Sequence, residues 1–286
     1  MIKLRLINSP TCQFKQKTLI LLALVFITAC ATRPAYKFDQ YALSAGLVKS
    51  VIETNNFSLT SYSRSNLLEI KSTPVLNIYL SGDGRPWITQ NYKSVDPTPR
   101  KHMALDLLLL DQNSSIYVGR PCYHAISIEP VCNSKWWTSH RYSKQVITAL
   151  LEAVNSLTNP SQRLNLIGFS GGGSLAMLLA PKLINPDGSS RVNAVVTISA
   201  NLDTQHWAQA HNYSPLTGSL NPIQQTLLDS NIKQYHLFGK LDQNVDAAYL
   251  ANKLEGRPST TVRVFPNFGH HCCWPEIWPQ FINSLK

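Results

Sequence analysis

A serine between glycines is the residue of this chain best suited to chemistry. Gly168, Ser170 and Gly172 match the pattern G-x-S-x-G, with an apolar run before them (164–167) and another after them (174–180). This order predicts a buried strand, a sharp turn and a helix, which together expose one hydroxyl. The free N–H groups of the helix would point at the same place. The pattern is typical of a nucleophilic serine, although a serine in an ordinary glycine turn also matches it.

An acid and a base follow the serine, each at the end of an apolar strand. Asp242 comes after a predicted strand and a glycine turn, and His270 comes after the strand pattern 261–265. A serine hydroxyl is a weak nucleophile until a base takes its proton, and the acid holds that base in the correct tautomer. We therefore predict the triad Ser170, Asp242 and His270. The alternatives for the acid and base are Asp203, Asp246 and His271.

Acyl transfer also requires two N–H donors for the oxyanion. The first would be the backbone N–H of Gly171, directly after the serine. The second would come from the glycine-rich loop after a predicted strand at 75–80. We predict that this donor is the N–H of Asp83, with that of Gly84 as the alternative. The loop could also be an ordinary glycine-rich turn without a catalytic role.

The N-terminal residues have the features of an export signal. Basic residues precede a short apolar run (19–27), and small residues then lead to Cys30. The run is too short for a mature membrane span. We predict a signal peptide over 1–29 and a lipidated Cys30, because residues 27–30 resemble a bacterial lipobox. The alternative is an ordinary secretory signal. Ala31 favours the outer membrane, so the predicted location is the bacterial cell envelope.

Composition argues against several classes of function. The formal net charge is +10, four units of which belong to the predicted signal, and the remaining basic residues are scattered. We therefore do not expect nucleic-acid binding. We expect no cofactor and no metal, since the cysteine and histidine spacing matches no zinc site. The predicted partners are a small-molecule or acyl-ester substrate and the membrane that Cys30 would enter. The sequence carries no signal for an oligomeric state.

Four cysteines besides Cys30 would remain after export. Four cysteines allow three pairings, and an exported chain makes disulfides plausible. The spacing favours a bond between Cys122 and Cys132. Cys272 and Cys273 would then form a vicinal bridge, which would stiffen the loop of His270, or stay free.

Strand and helix patterns alternate along the chain, and no repeat occurs. This alternation predicts a mostly parallel sheet with helices on both faces, and sites in such sheets lie at the carboxyl ends of the strands. We expect a tether and first helix over 30–55, with the helix near 38–53, and a catalytic domain over 56–286. The polar, proline-containing stretch 202–231 is too long for a simple connection and is predicted to form a lid.

The chain resembles the α/β-hydrolase superfamily, and within it a group of bacterial α/β-hydrolase lipoproteins. The second resemblance rests on several local features, namely residues 82–87, 96–100, 137–138 with 141–143, 202–203 with Trp207, and His270 before 272–274. The superfamily implies Ser170, Asp242 and His270 as its triad. This chain departs from the common pattern at Ser81, where a histidine is usual.

These observations predict a serine hydrolase that acts through an acyl-enzyme, most simply on carboxylic esters. An amidase or peptidase would use the same machinery. A non-catalytic envelope lipoprotein that uses the fold for binding is the alternative from another class. Tryptophans in the predicted loops would either line a pocket or pack in the core, namely Trp87, Trp136, Trp137, Trp207 and Trp274.

Overall fold

The computed structural model describes residues 33–124, 130–225 and 227–285. The strands within these ranges are β1 (Val48–Glu53), β2 (Ser58–Ser63), β3 (Val75–Leu80), β4 (Ser115–Val118), β5 (Arg163–Phe169), β6 (Val192–Ile198), β7 (Lys233–Gly239) and β8 (Thr260–Phe265). They form one sheet in the order β1-β2-β4-β3-β5-β6-β7-β8. Strand β2 is antiparallel to β1 and β4, and all other pairs are parallel.

Helices connect the strands and cover both faces of the sheet. The α-helices of the described residues are α1 (Pro34–Ser44), α2 (Leu67–Ser72), α3 (Met103–Leu110), α4 (Lys144–Leu157), α5 (Gly171–Leu179), α6 (Thr204–Ala210), α7 (Ala247–Leu254) and α8 (Trp274–Asn283). Short 3₁₀ turns occur at Ser134–Trp137, Ala180–Lys182 and Pro222–Gln224.

Side chains of the central strands alternate between two apolar cores, as the pleat of a strand requires. On one face, α4 and α5 cover Leu76, Ile78 and Leu80 of β3. On the other face, α1, α3 and α8 cover Tyr79 of β3 and Ile167 of β5. Because both faces are buried, β5 reads as a nearly continuous apolar run. The predicted parallel sheet with helices on both faces is confirmed.

The predicted first helix over 38–53 is wrong. Helix α1 ends at Ser44, and the chain turns at Gly46, whose φ of +80° suits glycine. Residues Val48–Glu53 instead form β1, because their backbone groups pair with β2 from Val48↔Ser63 to Glu53↔Ser58. The expected boundary between 55 and 56 therefore falls in the turn of a hairpin, and the sheet begins before it.

The predicted signal peptide (1–29) and the lipidation site Cys30 lie outside the described residues. In the described part of the chain, none of the helices combines the length and apolarity needed to cross a bilayer.

The stretch predicted to be a lid carries α6 and the turn Pro222–Gln224. It is tied to the body of the domain by backbone hydrogen bonds. The N–H of Leu220 donates to the carbonyl of Tyr142 at 3.0 Å, and that of Gly218 donates to the carbonyl of Ser139 at 3.2 Å. Its role as a lid remains a prediction.

Candidate active site

Ser170 occupies the sharp turn between β5 and α5. Its backbone has φ 52° and ψ −125°, a combination that few non-glycine residues adopt. A Cβ on Gly172 would overlap the carbonyl oxygen of Leu80, and one on Gly168 would overlap the backbone of Gly172. The two glycines of the sequence motif therefore allow the helix to approach the strands closely enough to form this turn.

His270 and Asp242 reach Ser170 from neighbouring loops at the same edge of the sheet. The Nε2 of His270 lies 3.2 Å from the Oγ of Ser170. Its Nδ1 lies 2.8 Å from the Oδ2 of Asp242. The structure thus brings the predicted Ser, His and Asp together in one hydrogen-bonded chain.

Asp242 is buried, with 1% of its side chain exposed. Its other oxygen, Oδ1, accepts the backbone N–H groups of Asn244 and Val245 at 2.8 and 3.0 Å. Burial by itself raises the pKa of Asp242, but the hydrogen bond and charge of His270 and the two N–H donors lower it below its usual value. The carboxylate therefore stays ionised beside His270.

The alternative acids lie elsewhere. Asp246 caps α7 by accepting the N–H of Tyr249 at 3.0 Å, and it contacts His206. Asp203 caps α6 and accepts the hydroxyl of Tyr249. Both carboxylates thus serve helix ends, and neither contacts His270 within the described residues.

His271 packs beside the site without joining the hydrogen-bonded chain. Its ring centroid lies 5.2 Å from that of Phe169 and 4.9 Å from that of His270. Burial, helped by the charges of His270 and Lys101, lowers the pKa of His271 to about 4. A group with this pKa is neutral at pH 7.

The loop after β3 lies against the serine turn. A Cβ on Gly82 would lie 3.6 Å from the Cβ of Ser170. A Cβ on Gly171 would overlap the carboxylate of Asp83. In the described part of the chain, the N–H of Asp83 has no hydrogen-bond acceptor. Asp83 and Gly171 are therefore neighbours, and their role as the two donors remains a prediction.

The side chain of Asp83 belongs to a buried ionic cluster that the sequence did not reveal. Its carboxylate pairs with Arg120 and with Arg141, the latter at 3.1 Å. The hydroxyl of Tyr142 donates to it at 2.6 Å, and that of Tyr123 donates to its backbone carbonyl at 2.8 Å. These partners come from positions 37 to 59 residues away, so no local pattern marks them.

This cluster has an excess of positive charge. The side chains of Arg120 and Arg141 are 1% and 5% exposed, and one carboxylate faces both. Burial alone raises the pKa of Asp83, but the two guanidinium groups and the hydroxyl of Tyr142 hold it below its usual value. Two guanidinium groups and one carboxylate leave the cluster with one net positive charge.

Ser170 and His270 line a pocket of about 1730 Å³. Of the five tryptophans considered for such a pocket, Trp87 and Trp207 line it. The other three are buried in the two cores, namely Trp136, Trp137 and Trp274. The segment 211–216 contributes a further part of the wall.

Two disulfide bonds flank this region. Cys122 and Cys132 are bonded with a Cα–Cα distance of 5.5 Å, which is a usual value. Cys272 and Cys273 form a vicinal bond two residues after His270. Trp274 follows and donates its indole N–H to the carbonyl of His270 at 3.1 Å. The residues after His270 are thus constrained by both a covalent bond and a hydrogen bond.

Within residues 33–124, 130–225 and 227–285, no group of three or more His, Cys, Asp or Glu side chains is arranged to hold a metal ion.

The strand order, the turn that carries Ser170 and the loops that carry Asp242 and His270 define the α/β-hydrolase fold. The chain belongs to the family described as serine hydrolase (FSH1), whose model matches residues 109–272, more than half of the chain. It is therefore a serine hydrolase.

No curated protein matches the chain in sequence. Similar solved structures include carboxylesterase CesB from Bacillus subtilis, with 13% identity, a TM-score of 0.53, and coverage of 88% of this chain and 98% of that one. Esterase LipW from Mycobacterium marinum has 14% identity, a TM-score of 0.55, and coverage of 92% and 88%. An esterase from Pyrococcus furiosus has 14% identity, a TM-score of 0.56, and coverage of 84% and 90%. At these identities the likeness concerns the fold.

Proposed function

We propose that this serine hydrolase cleaves carboxylic esters through an acyl-enzyme on Ser170. The observation that carries the proposal is the hydrogen-bonded chain from the Oγ of Ser170 through His270 to the buried Asp242. Three similar folds that bear esterase names are consistent with an ester substrate.

In the first step, the Oγ of Ser170 attacks the ester carbonyl while the Nε2 of His270 takes its proton. Asp242 holds Nδ1 and stabilises the imidazolium. The N–H groups of Gly171 and Asp83 donate to the oxyanion. The carbon–oxygen bond to the alcohol then breaks, and the alcohol leaves with the proton from His270. Water repeats the sequence on the acyl-enzyme and releases the acid.

A fluorophosphonate probe tests the nucleophile. We expect wild-type protein to be labelled stoichiometrically and Ser170→Ala to remain unlabelled, because the probe reacts only with an activated serine. Circular dichroism of the variant provides the control for folding. Failure of well-folded wild-type protein to react would instead favour the non-catalytic binding module.

A panel of 4-nitrophenyl acyl esters and the matching 4-nitroanilides tests the bond that is cleaved. We expect the esters to be hydrolysed with a kcat/KM at least 100-fold above that of the anilides. Faster turnover of the anilides would replace the esterase assignment with an amidase or peptidase.

We also propose that the chain is exported and lipidated at Cys30, which would place this hydrolase in a bacterial envelope, at the outer membrane. The support is the basic, apolar and small-residue order of the first 30 positions. Metabolic labelling with an alkyne fatty acid should mark the wild-type protein and leave Cys30→Ser unmarked. Labelling of both proteins, or of neither, would contradict the proposal.

A further inference from the structure

Cations outnumber carboxylates on the wall of the pocket described above. Among the described residues, five cationic side chains line it, namely Arg85, Lys93, Arg100, Lys101 and Arg141, and the one carboxylate is that of Asp83. A wall of one sign raises the local concentration of ligands of the opposite sign.

The single carboxylate does not offset these cations. Asp83 already faces both Arg120 and Arg141, so the buried cluster keeps one positive charge. That cluster adjoins Gly171 and therefore the point where the oxyanion would form. The charge of Asp83 is thus already matched inside the cluster and does not offset the other cations of the pocket.

The remaining four cations form no ion pair with any carboxylate of the described residues. The guanidinium of Arg85 is held by the carbonyls of Trp87 and Ile88, at 3.3 and 2.9 Å. The ammonium of Lys93 lies 5.7 Å from the ring centroid of Trp87. Neither arrangement neutralises a charge.

Arg100 and Lys101 are the cations most available to a ligand. Both are exposed, both line the pocket, and they lie just before α3 in the chain. The charge of Lys101 helps to lower the pKa of His271, and the ring centroid of His271 lies 4.9 Å from that of His270. Because Arg100, Lys101 and Ser170 line one pocket, a substrate held at the two cations can extend to the serine.

We propose that the substrate is an ester with an anionic group, a carboxylate or a phosphate, which Arg100 and Lys101 bind at the rim of the pocket. The proposal deepens the esterase function and rests on it. A neutral ester would enter the same pocket without these two contacts. The anionic group thus sets specificity through KM, whereas bond cleavage stays with Ser170, His270 and Asp242.

A pair of matched esters tests the proposal on the purified protein. Mono-4-nitrophenyl adipate has a free carboxylate, and its methyl ester has the same chain without the charge. We expect kcat/KM for the anionic ester to be about ten-fold higher at 50 mM NaCl, since two exposed charge contacts contribute modestly each. Raising the salt to 500 mM should bring the two values together.

Variants test whether Arg100 and Lys101 bind the anionic group. In Arg100→Gln/Lys101→Gln the ratio of the two kcat/KM values should fall about ten-fold, mainly through the KM of the anionic ester. Lys233→Gln is the matched control, because Lys233 is exposed at the start of β7, at the opposite edge of the sheet. It should leave both values unchanged.

The outcomes separate this proposal from the esterase function. If both esters are turned over equally, or if neither salt nor the double variant changes the ratio of their kcat/KM values, the proposal of an anionic substrate is wrong. The esterase function is not affected by that result. If the double variant instead loses only its binding to phosphatidylglycerol vesicles, the cations serve a membrane surface and the proposal is wrong.

Absence of turnover with both esters and of fluorophosphonate labelling overturns the esterase itself. If the probe labels Ser170 while neither ester reacts, the rate of labelling is measured in the presence of adipate and, separately, of uncharged adipamide. Slower labelling with adipate than with adipamide supports the proposal, and equal rates overturn it.

Discussion

Ser170, His270 and Asp242 differ in how each is held. Ser170 is held by a backbone conformation that costs about 1–3 kcal/mol and that the glycines around it permit. Asp242 is held by two backbone N–H groups and by burial. His270 lies between them, with its loop constrained by the bond between Cys272 and Cys273. Ser170 and Asp242 are thus fixed by backbone geometry, and His270 by its neighbours.

At the scale of single residues, replacing Asp242 tests its role as the acid that supports His270. We expect Asp242→Asn to lower kcat roughly 10³- to 10⁴-fold, because an amide stabilises the wrong tautomer of His270 and cannot balance its charge. Asp246→Asn, a matched change at the cap of α7, should keep kcat within about two-fold. Chromogenic ester kinetics measure both. A larger loss in Asp246→Asn than in Asp242→Asn would reverse the assignment of the acid.

At the scale of elements, the site depends on how closely α5 approaches β3 and β5. The approach leaves no space for a side chain at Gly172, whose Cα faces the backbone of Leu80. The buried cluster around Asp83 then joins the loop after β3 to the segments that carry Arg120 and Arg141. The loop after β3 is therefore positioned by packing on one side and by ion pairs on the other.

Gly172→Ala tests this packing. The methyl group would overlap a carbonyl oxygen, so helix and strand must separate. We expect a loss of about 2–4 kcal/mol in the free energy of unfolding and a loss of activity.

Gly269→Ala is the control for Gly172→Ala, because its nearest contact for a Cβ is 3.7 Å away. It should change the unfolding free energy by less than about 1 kcal/mol. Urea denaturation measures both variants. A Gly172→Ala protein as stable as Gly269→Ala would show that the helix is free to shift.

At the scale of the whole molecule, two buried histidines couple stability to pH. His124 and His236 are each at most 1% exposed. Burial, the largest cause, lowers the pKa of each to about 3. Each lies among apolar and hydroxyl-bearing neighbours, with His236 contacting Thr197 at 2.8 Å. The fold therefore requires both imidazoles to be neutral.

The direction of the pH effect follows from proton binding. Below about pH 6.5 the unfolded chain protonates both imidazoles, whereas the folded chain does so only near pH 3. The unfolded state binds more protons in this window, so stability falls as the pH falls. At pH 5 the expected loss is about 2 kcal/mol for each histidine.

His236→Phe checks this expectation, since it removes one titrating group from the core. Urea unfolding of wild type and variant at pH 7.5 and pH 5 gives the two pH-dependent losses. We expect the loss to be about 2 kcal/mol smaller in the variant. Equal losses in both proteins would place the acid sensitivity elsewhere.

Local patterns predicted much of this molecule. The strand over 75–80 is predicted with its observed bounds, because a short apolar run between turns has few other solutions. The positions of Ser170, Asp242 and His270 after strands likewise follow from local sequence. The first helix was predicted wrongly, because periodicity alone did not separate α1 from β1. Residues 48–53 form a strand because they pair with β2.

What the sequence determined by itself was the order of elements, the class of fold and the residue types available at one edge of the sheet. The tertiary structure decided which of several carboxylates faces His270 and how two distant arginines surround Asp83. It also brought five cationic side chains from separate parts of the chain to the wall of one pocket. Backbone preference and apolar periodicity act over a few residues and are visible in the chain, whereas charge pairing depends on distances that exist only after the sheet has formed.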